Sequence, residues 1–254
     1  MSANLLAHVF NSPWQRQFGV LGTPVFVYHY IGVAPRRAHD PFLYVTPRRF
    51  DAQIGALRAA EFESASLDDI FAARPQSAGG KCVITFDDGA CNVFTHALEI
   101  LARHRFRAIQ FIVAGLVGGR NEWDARHSHP VEPLMDAGQI REWLAAGHEI
   151  GSHSLTHPNL TKLDATQARE QIFASKKMLE DTFGGEVRHF CYPHGCWNPL
   201  VRDLVAEACY RTACTTAFGV NPPDAPRHTL RRIFPLSAGE LLGKIAHRLL
   251  RTLR

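Results

Sequence analysis

Several features are missing from this sequence, and each absence narrows what the chain can be. No apolar run approaches the roughly 20 residues a membrane-spanning helix needs. The opening stretch, MSANLLAHVFNSPWQRQF, has no basic segment ahead of an apolar one, so it does not read as a secretory signal. Net charge is only +4 and the one basic cluster lies at the extreme C-terminus, which argues against a nucleic-acid partner. There is no internal repeat, low-complexity tract or long linker, so the 254 residues are expected to form one domain around one sizeable core. Cysteine is sparse: Cys82, Cys91, Cys191, Cys196, Cys209 and Cys214. So few cysteines, with no signal, favour the cytoplasm and free thiols. Cys191/Cys196 and Cys209/Cys214 are spaced C-x4-C, wider than the usual structural zinc knuckles, and are expected to be buried, inert thiols.

Short apolar runs rich in β-branched and aromatic residues are present instead, alternating with helix-like periodicity. Strands are expected at 25–29, 82–86, 108–113, 148–152, 187–192, 212–216 and 230–234. Thr46-Pro47 supplies an N-cap and a proline at the first helical position, and Phe50, Ile54 and Leu57 then recur at helical spacing. Val93, Ala97, Ile100 and Leu101 line another helix face. Asp164 with Gln167 forms a capping box ahead of Ala168, Ile172, Leu179 and Phe183, and Gly184 sits where a C-terminal cap belongs. Asn198-Pro199 opens a further helix. Strands alternating with helices imply an α/β fold with a parallel sheet and helices outside it. Periodicity does not distinguish an open sheet from a barrel. In either, chemistry sits in the loops after the strands.

Two such loops carry reactive side chains. Thr85-Phe86-Asp87-Asp88-Gly89 places adjacent carboxylates at a strand end, where both ionised would repel unless a cation takes one of them. His153-Ser154-Leu155-Thr156-His157 follows the strand at 148–152, and two histidines four apart reach one ion if the segment is a helical turn. Alone, each pattern is weak: Asp-Asp-Gly is a common turn, and the chain has 14 histidines. Together they make a two-histidine, one-carboxylate set that leaves positions open for water and substrate, a pattern suited to hydrolysis.

TFDDG followed by GHEIGSHSLTHPNLT resembles the polysaccharide deacetylase family, carbohydrate esterase family 4. Phe190-Cys191-Tyr192-Pro193-His194-Gly195 stands for its third motif, and VFVYHYI with TPRRFDAQIGAL is similar to the branch that includes poly-N-acetylglucosamine deacetylases. The resemblance runs from about Pro24 to Phe234. It implies a distorted (β/α)7 barrel with parallel strands and outer helices, and removal of N-acetyl groups from N-acetylhexosamine units of a glycan or its precursor. It also implies a divalent metal, zinc by preference, on Asp88, His153 and His157. Asp87 is then the base and the backbone N–H of His194 helps hold the oxyanion; no Leu-x-His occurs late in the chain, and the resemblance to this branch, whose N-terminal Tyr-His strand takes that place, implies His29 as the acid.

Two positions depart from the family pattern. Cys191 stands where an arginine usually orients the catalytic carboxylate; Arg232 is expected to supply that charge, with Arg188 as the fallback. His194 replaces a tyrosine, which a backbone donor tolerates. Asn121 and Trp123, together with Asp124, are candidates for gripping sugar hydroxyls and stacking on a sugar face, with Tyr192, Pro193 and Trp197 as further groove wall or core. Residues 1–23 read as an N-terminal extension. Ser237 and Glu240 resemble a capping box opening an amphipathic basic helix over 237–254, with Leu241, Leu242, Ile245, Leu249 and Leu253 on one face. That helix reads first as packed on the barrel. Its second reading is a helix on an anionic membrane surface, near a lipid-linked sugar. The rival functions are hydrolysis of a non-sugar amide at the same site and sugar binding without catalysis. Oligomeric state is left open.

Overall fold

The computed structural model describes residues 22–38, 40–71, 80–125 and 131–235. Among them are ten strands, β1 (Val25–Tyr28), β2 (Tyr30–Ile31), β3 (Tyr44–Val45), β4 (Glu63–Ser64), β5 (Lys81–Phe86), β6 (Ile109–Ile112), β7 (Glu149–Ser152), β8 (His189–Cys191), β9 (Thr212–Phe218) and β10 (Leu230–Arg232). The α-helices are α1 (Pro47–Ala59), α2 (Cys91–His104), α3 (Glu122–Ala125), α4 (Ala137–Ala145), α5 (Ala165–Phe183) and α6 (Pro199–Glu207). Residues 1–21 of the expected extension 1–23, and the basic tail helix expected over 237–254, lie outside the described residues.

Every expected long strand is present, within a few residues at each end. All pair in parallel in the order β1-β5-β6-β7-β8-β9-β10, with β4 beside β5 and with β2 and β3 forming a separate pair. The ring closes where the Val27 N–H donates to the Ile233 carbonyl at 3.0 Å and the Ile233 N–H to the Val25 carbonyl at 2.8 Å. The seams are uneven. β6 and β7 pair over four residues, β7 and β8 only at Ser152–Phe190, and β9–β10 shifts register between Leu230 and Arg232. The result is a distorted (β/α)7 barrel.

Strand alternation divides the core in two. Val25, Val83, Ile109, Phe111, Cys191, Cys214 and Leu230 meet inside the ring, with Leu67 and Ile70 packed against them. Phe26, Tyr28, Ile84, Phe86, Ile112, Ile150 and Phe190 face the helices. Gly151 belongs to this packing: a Cβ there would stand 2.5 Å from the Phe111 ring, so glycine leaves room for the aromatic side chain.

The helix starts follow local chemistry. The Thr46 hydroxyl accepts from the Arg49 N–H ahead of α1, and the Asn198 side chain accepts from the Val201 N–H ahead of α6. The Asp164–Gln167 capping box is formed in both directions, and Gly184 ends α5 at φ 73°. A second capping box, Asp136 with Gln139, opens α4, a short helix absent from the sequence reading. Among the described residues no helix is long and apolar enough to cross a membrane.

Three of the cysteines (Cys82, Cys191 and Cys214) are buried. Cys91 and Cys196 are half-buried and Cys209 is exposed, which corrects the expectation that both C-x4-C pairs are core thiols. All six are unpaired.

Candidate metal centre and active site

The Asp87 N–H continues the β1–β5 ladder by donating to the Tyr28 carbonyl at 2.9 Å, and Gln110 Nε2 donates to the Asp87 carbonyl at 3.1 Å. The chain then turns sharply, with Asp88 at φ 71° and Gly89 at φ 80°. Asp is among the few non-glycine residues that enter this left-handed region readily. At Gly89 a Cβ would also press on Ile112 at 3.3 Å. By alternation Asp87 stays on the face of Val83 and Thr85 and points into the ring, while the turn sends Asp88 toward the opening.

His153 leaves the end of β7, its N–H donating to the Ile112 carbonyl at 2.8 Å. Its Nδ1 lies 2.7 Å from the Cys191 carbonyl. A carbonyl only accepts, so Nδ1 carries a hydrogen, and in the neutral ring Nε2 is the nitrogen left with a lone pair. The segment from His153 to His157 is not the expected helical turn. Ser154 and His157 both take positive φ, 66° and 64°, and the His157 N–H caps back onto Ser154 Oγ at 3.1 Å. This non-helical loop still brings the two rings to 4.8 Å between centroids.

Asp88 Oδ1 is 3.5 Å from His153 Nε2 and 3.5 Å from His157 Nε2. That is long for a hydrogen bond. Two donors each about 2.1 Å from a common centre at a tetrahedral angle stand roughly 3.4 Å apart, so the spacing suits a shared ion. Asp88, His153 and His157 are all buried. Burial alone would push the Asp88 carboxyl up, but the adjacent imidazoles hold it below the usual carboxylate range. At His157 burial prevails, aided by His153 beside it, and lowers the imidazole well below its ordinary value; neutral imidazole is the form that ligates a metal. His157 Nδ1 is buried with no hydrogen-bond partner.

Arg232 meets Asp87 from across the ring, 145 residues away in sequence. Nη1 donates to Oδ1 and Nη2 to Oδ2, each at 2.7 Å, while Nε donates to the Thr215 carbonyl at 2.8 Å. Burial opposes a charge on Asp87, but the guanidinium outweighs it and the carboxyl sits below its ordinary 3.8. Cys191 stands 3.2 Å from Arg232 Nη2 and 3.6 Å from Asp87 Oδ2, its thiol pushed by burial up to about 11 and therefore protonated. Arg188 is engaged elsewhere, with Asp68 and Glu149 at 3.0 and 2.6 Å. His29, at the end of β1, puts Nε2 3.7 Å from Asp87 Oδ2 and stacks on Phe234.

The groove residues divide. Trp123 lies flat on His157, centroids 4.1 Å apart, so its indole forms a wall directly beside the ligand set. His194 is exposed, its ring 4.7 Å from His157 and edge-on. Its backbone is at φ 59°, and no described residue accepts from its N–H. Asn121 is corrected: it is 1% exposed, and its amide donates to Tyr30 Oη at 3.1 Å and to Asp124 Oδ2 at 2.9 Å, so it is not available to sugar hydroxyls. Tyr192 is likewise core, its hydroxyl donating to the His228 carbonyl at 3.0 Å, and Pro193 beside it is buried. Trp197 is 40% exposed.

Tyr30 had escaped notice. Its hydroxyl donates to Asp88 Oδ2 at 3.1 Å. The available signal was its place beside His29, just past the end of β1.

The fold and site define a class: an α/β barrel that gathers a two-histidine, one-carboxylate centre and a neighbouring carboxylate at the C-terminal ends of its strands. The polysaccharide deacetylase family model matches residues 75–213, more than half of the chain. The protein therefore belongs to the polysaccharide deacetylase family. YxkH of Bacillus subtilis, which carries a polysaccharide deacetylase name, is 23% identical over 225 residues, 87% of this chain and 74% of that one. A chitooligosaccharide deacetylase of Bradyrhizobium is 25% identical over 59% of this chain, and the match spans only 61% of its length. The solved structure of the Streptococcus pyogenes deacetylase PplD, in complex with acetate, superposes with a TM-score of 0.73 at 23% identity, covering 88% of this chain and 97% of that one; it shares the fold.

Proposed function

We propose that this protein is a metal-dependent hydrolase that removes the acetyl group from N-acetylhexosamine units of a glycan or its precursor. One observation carries the reading: Asp88 Oδ1 sits 3.5 Å from both His153 Nε2 and His157 Nε2, while next to it Asp87 is held by Arg232 as an anion. The acetylated-sugar deacetylases among the relatives support the substrate class.

Asp88, His153 and His157 hold the ion, for which zinc is our assignment because imidazole and carboxylate donors suit it. When bound, such an ion polarises a carbonyl and acidifies water at neutral pH. Asp87 takes the proton of the water that attacks the acetamide carbon. Arg232 keeps it aimed and ionised, which replaces the charge that Cys191 cannot give. The His194 N–H, without an acceptor among the described residues, donates to the developing oxyanion. His29 passes a proton to the amine as the C–N bond breaks, so the products are acetate and a free amino sugar. Trp123 stacks against the sugar ring.

The unpaired state of all six cysteines supports a reducing compartment, and a cytoplasmic setting is part of this proposal. The test is acetate release from N-acetylglucosamine oligomers by metal-stripped protein, with and without added zinc. Zinc-dependent acetate is expected. A protein that binds one zinc per chain yet releases none from any N-acetylhexosamine oligomer would move the reading to a non-sugar amide.

A further inference from the structure

The ligand carboxylate of Asp88 has two oxygens in different surroundings. Oδ1 faces the two imidazoles. Oδ2 accepts from the Tyr30 hydroxyl at 3.1 Å, and among the described residues Tyr30 is the one that hydrogen-bonds it. Tyr30 is itself held on three sides. Asn121 Nδ2 donates to its oxygen at 3.1 Å, which leaves the phenolic hydrogen pointed at Asp88. The same nitrogen is anchored on Asp124 Oδ2 at 2.9 Å, and Asn121 Oδ1 accepts from the Glu132 N–H. The Tyr30 ring stacks on Tyr44 with centroids 4.6 Å apart, and Tyr44 donates to Glu132 at 2.8 Å. Tyr30 is 2% exposed and Asn121 1%, so neither reaches substrate.

We propose that Tyr30 is a positioning residue that occupies Asp88 Oδ2 and so fixes Asp88 as a one-oxygen ligand through Oδ1, with Asn121 aiming the Tyr30 hydroxyl. This rests on the metal-site reading above. A freely rotating carboxylate offers either or both oxygens; one tied at Oδ2 has a defined rotamer and one defined donor. Groups behind a metal ligand act in this way by fixing its orientation and basicity, and their loss typically weakens metal binding 10–100-fold.

Tyr30→Phe keeps the ring stacked on Tyr44 and removes only the hydroxyl. Zinc affinity by chelator competition is expected to fall at least tenfold. The visible spectrum of the cobalt-substituted variant is expected to change band shape, as Asp88 rotates or offers both oxygens. With saturating zinc, kcat should fall while KM for the oligomer stays within twofold, because Tyr30 touches no substrate. Asn121→Ala should weaken zinc binding in the same direction by a smaller factor. Tyr44→Phe, which loses the bond to Glu132 but leaves Tyr30 on Asp88, should bind zinc as the wild type does. Metal-free melting curves keep folding losses separate from affinity losses. Wild-type zinc affinity and an unchanged cobalt spectrum in Tyr30→Phe would overturn this role and leave the deacetylase reading standing. Failure of the wild-type protein to bind zinc or cobalt would overturn both.

Discussion

Replacing Arg232 with Met tests the electrostatic heart of the site. Methionine keeps most of the length and removes the charge. In the native protein the guanidinium makes two 2.7 Å bonds to Asp87 in a fully buried setting. Removing one partner of a buried, bidentate pair costs about 3–5 kcal/mol, because the other charge is left unpaired. For a chain of this size that is a fall in Tm on the order of 10 °C. The cost depends on pH. In the native protein burial opposes the Asp87 charge but Arg232 lowers its carboxyl below 3.8, so its contribution is present above that value and lost as pH falls through the folded value. In Arg232→Met burial is no longer outweighed by the guanidinium, with His29 and His153 left to oppose it, and the carboxyl is expected to rise. The variant therefore gains relative stability as pH falls. The gap in Tm between the two proteins should be widest near neutrality and close toward pH ~4. Catalysis follows the same group: the acidic limb of the rate profile should move up in pH, and activity at neutral pH should fall by roughly 10²–10⁴, the contribution of a positioned base. Melting curves and acetate release measured across pH check both. A Tm gap that is constant with pH, together with an unmoved acidic limb, would refute the reasoning and leave Arg232 as packing.

Four further outcomes follow from the geometry. Asp87→Asn should retain zinc stoichiometry while acetate release falls roughly 10²–10⁴-fold; an undiminished rate would mean the base lies elsewhere. Removing metal with a chelator, or making Asp88→Ala, should abolish turnover, and only the chelated wild type should recover on adding zinc, as metal analysis of each protein would show. His29→Gln should slow deacetylation of an N-acetylated sugar roughly 10²-fold but hydrolysis of p-nitrophenyl acetate much less, since nitrophenolate leaves without a proton; equal losses on both substrates would remove His29 as the acid. Trp123→Ala should raise KM for oligomers by roughly tenfold, a stacking contribution of about 1 kcal/mol or slightly more, and equilibrium binding of a non-hydrolysed sugar would report it directly.

The strand-helix alternation was readable because it is carried by local chemistry. Val25–Tyr28 and Lys81–Phe86 are short apolar runs, and the Asp164–Gln167 and Thr46-Pro47 caps are made by residues within one turn of each other. The nine-residue α4 helix was not read from the sequence, although its own capping box at Asp136–Gln139 was visible there. The candidate ligands Asp88, His153 and His157 could be picked out because each motif is contiguous and follows a strand directly.

What the sequence determined, then, were the elements, their starts and the chemically loaded strand ends. Only the closed barrel decided which distant residues meet there. The Phe26–Ile233 closure brings β10 beside β1, and with it Arg232 onto Asp87. The small Cys191 side chain packs against both partners of that pair. Tertiary packing likewise put Asn121 against Tyr30 in the interior rather than in the groove, and Tyr192 in the core. Local spacing encodes a residue's period and cap. Which side chain faces it across the ring depends on strand register and twist summed around the whole barrel, which no single segment contains.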